Sequence, residues 1–294
     1  MRKEILRTLA YADIFDYPLT AEELYRFLIA NKTFPFLLLE DILKQIKQND
    51  EQIETDGEYF FLKGRKKIVN IRQKRKKWSE QKVKIAQRVA RWFKLISWVK
   101  MVGITGALAI ENADENDDID LLIVTSKNRL WLTRLLAVFL VELIASRRRP
   151  RDINVKDKIC LNMFLDEEHL GVPKNEQDLF SAHEVCQFKP LWERNNCYQR
   201  FLKANLWVKK YLASSLDVKI LRCKDPKKEN SSNFLLSQSL NLLEYFAYKI
   251  QVAYMSSRRT SEIVEPHRIR FHPQDCRHWI LKKYQEKLKK LFIV

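Results

Sequence analysis

The residues best placed to do chemistry in this 294-residue chain are Asp117, Asp118 and Asp120, in ENADENDDIDLLIVT. The run DIDLLIVT at 118–125 has the β-branched and apolar composition of a buried strand. Alternate residues of a strand face the same way, so Asp118 and Asp120 project from one face, about 7 Å apart along the chain. Carboxylates gathered beside a core must be paired, solvated or bound to a cation. Two carboxylates so spaced suit Mg²⁺, a hard cation that takes oxygen ligands and binds triphosphates. Upstream, WVKMVGITG at 98–106 reads as a buried strand ending in a tight turn, and ALAIENA as a short helix leading into the acids.

Gly106-Ala107, ten intervening residues, then Asp118-Ile119-Asp120-Leu121 resembles the signature of the DNA polymerase beta-type nucleotidyltransferases over about residues 95–170. That signature is two small turn residues, a short spacer, then acid-apolar-acid-apolar. The flanking segments, among them FLKANLWVKKYL at 201–212 and RFHPQD at 270–275, resemble bacterial and archaeal proteins that join a winged-helix-like start, such a core and a helical C-terminal region. The resemblance implies a metal-ion mechanism: transfer of a nucleoside monophosphate from a nucleoside triphosphate (NTP) to a hydroxyl acceptor. Asp118 and Asp120 would ligate Mg²⁺ or Mn²⁺. Amides around Thr105, Gly106 and Ala107, at a helix start, would cradle the triphosphate.

Two positions depart from the family. The second turn residue is commonly serine, and Ala107 cannot donate a hydrogen bond to phosphate. A third carboxylate commonly comes from a later strand, here matched to KICLNMFL at 158–165, whose central polar residue is Asn162; Asp157 and Asp166 flank that strand. An amide ligates a metal but is no useful base, a loss of about 10²–10⁴ in rate. The alternative is therefore a catalytically weak or inactive nucleotidyltransferase-fold protein acting as a nucleic-acid-binding or regulatory module.

The elements that must position these residues read as an α/β (α+β) chain. Residues 1–65 give a winged-helix-like unit: a first helix spaced by Ile5, Leu6 and Leu9, a second opened by the capping box Thr20/Glu23, a third from about Pro35, and a hairpin around Asp56-Gly57. The third helix carries Glu40 and Asp41 against Lys44 and Lys47, a poor surface for DNA, so packing or partner docking is the preferred role. Residues 66–97 form a basic connecting helix, 98–170 a mixed-sheet nucleotidyltransferase core, and 171–294 a helical C-terminal domain in which SLNLLEYFAYKIQVAYM, apolar all round, is expected to be buried. The stretch 225–233 reads as a loop.

Charge separates the candidate partners. Formal net charge is +17, and residues 63–94 hold fourteen Lys or Arg and one Glu. That face is either solvated or an RNA- or DNA-binding surface through Lys74, Arg75, Lys76 and Lys77, with Trp78 beside them. SRRRPRD at 146–152 reads as a solvated basic loop, though within reach of a triphosphate. His267, His272 and His278 have no metal-site spacing and are expected to cap structure. Cys160, Cys186, Cys197, Cys223 and Cys276 show neither disulfide framework nor zinc pattern. LWLTRLLAVFLVELIA at 130–145 is short and charged for a membrane span and reads as a buried helix; with no secretory signal pattern, the cytoplasm is the expected location.

Overall fold

The computed structural model describes residues 1–48, 50–150, 152–215, 234–256, 262–271 and 276–292. Three helices come first, α1 (Arg2–Ala12), α2 (Ala21–Arg26) and α3 (Phe36–Gln48), then an antiparallel pair, β1 (Ile53–Thr55) with β2 (Phe60–Leu62). The order matches the sequence reading, and α2 begins at a reciprocal capping box: Thr20 Oγ1 accepts from Glu23 N, and the Glu23 carboxylate accepts from Thr20 N.

Helix α4 (Lys67–Trp92) crosses from this unit to the core. Its buried side is cationic near the start and apolar near the end. Arg72 forks onto Glu23 with two hydrogen bonds of 2.7 Å and also donates to the Pro18 carbonyl. Burial works against the Glu23 charge, but the Arg72 hydrogen bonds and charge outweigh it and hold Glu23 below the usual carboxylate range. Farther on, Ala86, Val89 and Ala90 pack on the central sheet.

Among the described residues that sheet has six strands, β3 (Val99–Ile104), β4 (Ile119–Thr125), β5 (Ile159–Asp166), β6 (Lys189–Glu193), β7 (Ile263–Glu265) and β8 (Arg268–Arg270), in the order β6-β3-β4-β5-β8-β7. Among the described strands only β4 and β5 run parallel, so the sheet is mixed. A Cβ on Gly103 would lie 2.8 Å from the Lys189 carbonyl and closer still to the Phe188 ring, so only glycine lets this chain close over β3. The short helix α5 (Gly106–Ala109) joins β3 to β4, and α6 (Leu130–Ile144) follows β4.

Beyond residue 170 lie α7 (Leu179–Gln187), α8 (Cys197–Ala204), α9 (Phe234–Ser256) and α10 (Cys276–Lys290). This stretch, expected to be helical, also supplies β6, β7 and β8; runs of three to five residues are too short for a strand period to show. One sheet face, through Met101, Leu122, Val124 and Leu165, shares a continuous core with α1–α3, α7, α8 and α10. The other, through Val102, Leu121, Ile123 and Phe164, packs on α4, α6 and α9. Glu244 of α9 accepts from Trp131 N and Leu132 N at 2.7 and 2.9 Å, satisfying the first turn of α6.

A single helical layer buries only one side of each helix. Helix α6 turns Trp131, Ala137 and Val141 inward and exposes Leu135, Phe139 and Leu143; α9, expected to be buried all round, exposes Leu242, Leu243, Phe246 and Ile250. Among the described residues no helix is long and apolar enough to cross a membrane. Cys160, Cys186 and Cys197 form no disulfide, and Cys223, His272 and the 225–233 loop lie outside the described residues.

Candidate active site

The two acids of DIDLLIVT do come together. Asp120 lies in β4 and Asp118 just before it, and together with Cys160 of β5 they place ligand atoms within 4.8 Å of one another. The β4–β5 register sets Asp120 directly against Cys160. Burial, then the Asp118 charge, push the Asp120 carboxyl up to about 7, against a Cys160 hydrogen bond and the charge of Arg148. Burial and the same carboxylates push the Cys160 thiol well above its ordinary range, so it remains a protonated partner of Asp120. The donors left for a cation are carboxylate oxygens, which suit a hard divalent ion.

The small-residue turn closes over this pair. Thr105 N donates to the Asp120 carbonyl at 3.1 Å, and a Cβ on Gly106 would stand 3.6 Å from Asp120 Oδ2. Gly106 adopts φ +64°, the left-handed region that favours glycine. Thr105 is 8% exposed, and its hydroxyl oxygen is buried with no hydrogen-bond partner. Ala107 is exposed at the start of α5.

Two cations organise the acids. Lys82, buried on α4, donates to the Glu115 and Asp117 carbonyls at 3.0 and 2.6 Å and to Asp157 Oδ1 at 2.8 Å, fixing the turn that delivers Asp118. Arg148 Nη1 lies 2.6 Å from Asp118 Oδ2. The basic 146–152 stretch is thus not simply solvated: Ser146 O and Arg148 N pair with Ile159 at the head of β5, which carries the Arg148 side chain to the acids. Burial works against the Arg148 charge, yet Asp118 more than offsets it and holds the guanidinium more firmly protonated than usual.

The residues considered for a third acid lie apart. Between the Asp120–Cys160 and Leu122–Met163 pairs, β5 has one residue more than β4, a bulge holding Leu161 and Asn162. Asn162 is buried, its Oδ1 without a partner, and Cys160 occupies the position across from Asp120. Asp157 is held by Lys82. Asp166 ends β5 on its far side, accepting from Asn128 N and Glu168 N.

The acid that sequence reasoning missed is Glu184 on α7, whose charge reaches Asp120. Burial pushes Glu184 up to about 7 against the pull of Arg270. It lines a cavity of about 110 Å³ with Thr105, Leu122, Met163, Leu165 and Phe180, so this largely apolar space shares Thr105 with the turn beside Asp120. Nothing in LFSAHEVCQ marks Glu184, because its relation to β4 exists only in the fold.

The basic quartet divides. Lys74, Lys76 and Lys77 are exposed, whereas Arg75 turns inward and donates to the Phe15 carbonyl at 3.0 Å. Lys67, Lys74, Lys77, Lys84, Arg88 and Arg91 recur at three-, four- and seven-residue steps along the exposed side of α4.

No protein-family model matches this sequence, and no curated protein matches it.

Proposed function

We propose that the chain is a metal-dependent nucleotidyltransferase of the DNA polymerase beta type, transferring a nucleoside monophosphate from an NTP to a hydroxyl acceptor. The observation that carries this is the convergence of Asp118 and Asp120 beside the Thr105–Gly106 turn, where Asp120 Oδ2 lies 3.6 Å from the place a Gly106 Cβ would take. Strand, tight turn, short helix and acidic strand, with a parallel strand beside the last, support it. Asp118 and Asp120 would hold Mg²⁺ or Mn²⁺, which neutralises the phosphates and polarises the reacting phosphorus. Amides and hydroxyl at Thr105–Ala107 would orient the phosphates, and Arg148, paired with Asp118, would supply a charged donor to them. Asn162 contributes no base; Glu184, which burial pushes up to about 7 and which lines a cavity with Thr105, would be the carboxyl to move a proton. The exposed Lys74, Lys76 and Lys77 suit the phosphate backbone of RNA or DNA as a second partner.

One observation favours a second reading, a weak or silent enzyme acting as a nucleic-acid-binding or regulatory module: Arg148 already neutralises Asp118. The two are separated by assaying pyrophosphate release with each of the four common NTPs, Mg²⁺ or Mn²⁺, and a panel of hydroxyl acceptors. Release that disappears on Asp120→Asn supports the enzyme; none with any combination supports the second reading.

A further inference from the structure

At the opposite end of β5, about 20 Å from Cys160 by ordinary strand rise over six residues, a second group of donors assembles. Asp166 is the buried last residue of β5, His169 follows in the next turn, and His267 sits in the turn between β7 and β8. Their ligand atoms lie within 4.8 Å of one another. Sequence spacing set His267 with His272 and His278; the fold sets it with a histidine 98 positions earlier in the sequence.

Backbone bonds hold the group together. Asp166 N donates to the His267 carbonyl at 3.0 Å, and His169 N donates to the Asp166 carbonyl at 2.8 Å. The imidazoles stack with centroids 4.1 Å apart and planes 6° from parallel. Among the described residues neither ring has a hydrogen-bond partner, and His169 Nδ1 stands 3.7 Å from Asp166 Oδ1. Each Asp166 oxygen accepts one backbone N–H, from Glu168 or Asn128, and a carboxylate has about four acceptor positions in all. A second acceptor position on an Asp166 oxygen and two imidazole nitrogens therefore stand within 4.8 Å of one another.

We propose that Asp166, His169 and His267 form a Zn²⁺ site that clips the β7–β8 turn to the end of β5, independent of the acidic site. Imidazole nitrogen with a carboxylate is a borderline donor set that suits zinc, with water completing four-coordination. Zinc bonds of about 2.0–2.2 Å put tetrahedral ligands roughly 3.3–3.5 Å apart. Rotation of the exposed His169 ring and the half-buried His267 ring supplies the contraction of about 1 Å, while Asp166 stays fixed by its backbone bonds.

The test is Zn²⁺ titration against a chromophoric chelator, with Co²⁺ absorption as a spectroscopic probe, on the full chain carrying Asp118→Asn, Asp120→Asn and Cys160→Ser so that the acidic site is silent. The expected result is one Zn²⁺ per chain, a visible four-coordinate Co²⁺ band, and a rise in Tm on adding Zn²⁺. His169→Ala and His267→Ala, each added singly, should weaken Zn²⁺ binding at least about tenfold and abolish the band. Both alter rings at the surface, and circular dichroism confirms that they fold. Unchanged affinity in either histidine variant, or no Zn²⁺ bound once the acidic site is silent, overturns the proposal.

Discussion

Replacing Arg148 by alanine probes the ion pair that a cation entering the acid pair must displace. Arg148 reaches Asp118 at 2.6 Å, with 36% of its side chain exposed against 13% for the aspartate. Two unit charges 4 Å apart attract by about 4 kcal/mol at an effective dielectric of 20 and about 1 kcal/mol in water. Measured pairs with this much solvent contact fall near the lower figure. A cation entering between Asp118 and Asp120 must displace the guanidinium, so Arg148→Ala removes about 1 kcal/mol of competition, about fivefold in Mn²⁺ affinity. The comparison belongs above the value of about 7 for Asp120 and is repeated at rising pH, because the Arg148 charge holds that carboxyl down and its removal moves the carboxyl up. With NTP present the sign reverses: a phosphate that loses a charged donor binds less tightly by about 1.5–3 kcal/mol. Isothermal titration with Mn²⁺ alone, then with a Mn²⁺-saturated NTP, reads both. Mn²⁺ affinity that is unchanged or lower in Arg148→Ala refutes the competition and leaves Arg148 a fixed structural partner of Asp118.

Glu184→Gln should stabilise the protein at pH 8 and not at pH 4: the folded carboxyl keeps its proton up to about 7 while the unfolded one loses it near 4.5, so the parent loses stability as pH rises through that window. Parallel curves of Tm against pH for the two proteins would contradict this. Lys82→Met leaves two carbonyls and Asp157 without their donor, and should cost at least about 2 kcal/mol in urea unfolding; an unchanged midpoint would show that the acidic turn holds itself. Changing Lys74, Lys76 and Lys77 together to Gln should flatten the salt dependence of RNA or DNA binding at constant stability, whereas Arg75→Gln, which loses its bond to Phe15, should lower Tm instead. Equal salt slopes for the triple variant and the parent would leave α4 a solvated face.

Short-range pattern carried much of what was legible in advance. The Thr20/Glu23 cap, the strand pair after three helices, and the shared face of Asp118 and Asp120 follow from spacings of two to four residues, which local backbone geometry enforces. The β5 bulge was not legible, because one extra residue slips the alternation of a strand and no residue type announces it; it sets Cys160 opposite Asp120 and Asn162 in the bulge. Arg148, Lys82 and Glu184 act across 30, 35 and more positions, and a buried lysine inside a basic run looks like its solvated neighbours until the fold turns it inward. Apolar composition likewise did not reveal that α9 has solvent on one side.

Binding of Mn²⁺ with NTP to Asp118→Asn, Asp120→Asn and the double variant, against the parent at pH 8, decides whether this strand holds the cation. The parent should gain Tm only when metal and triphosphate are both present, since a ligand of the native state stabilises by mass action. Each single variant should lose most of that gain, and the double variant all of it, with each fold intact by circular dichroism. A gain that survives in the double variant would place the cation elsewhere and contradict the assignment of this strand.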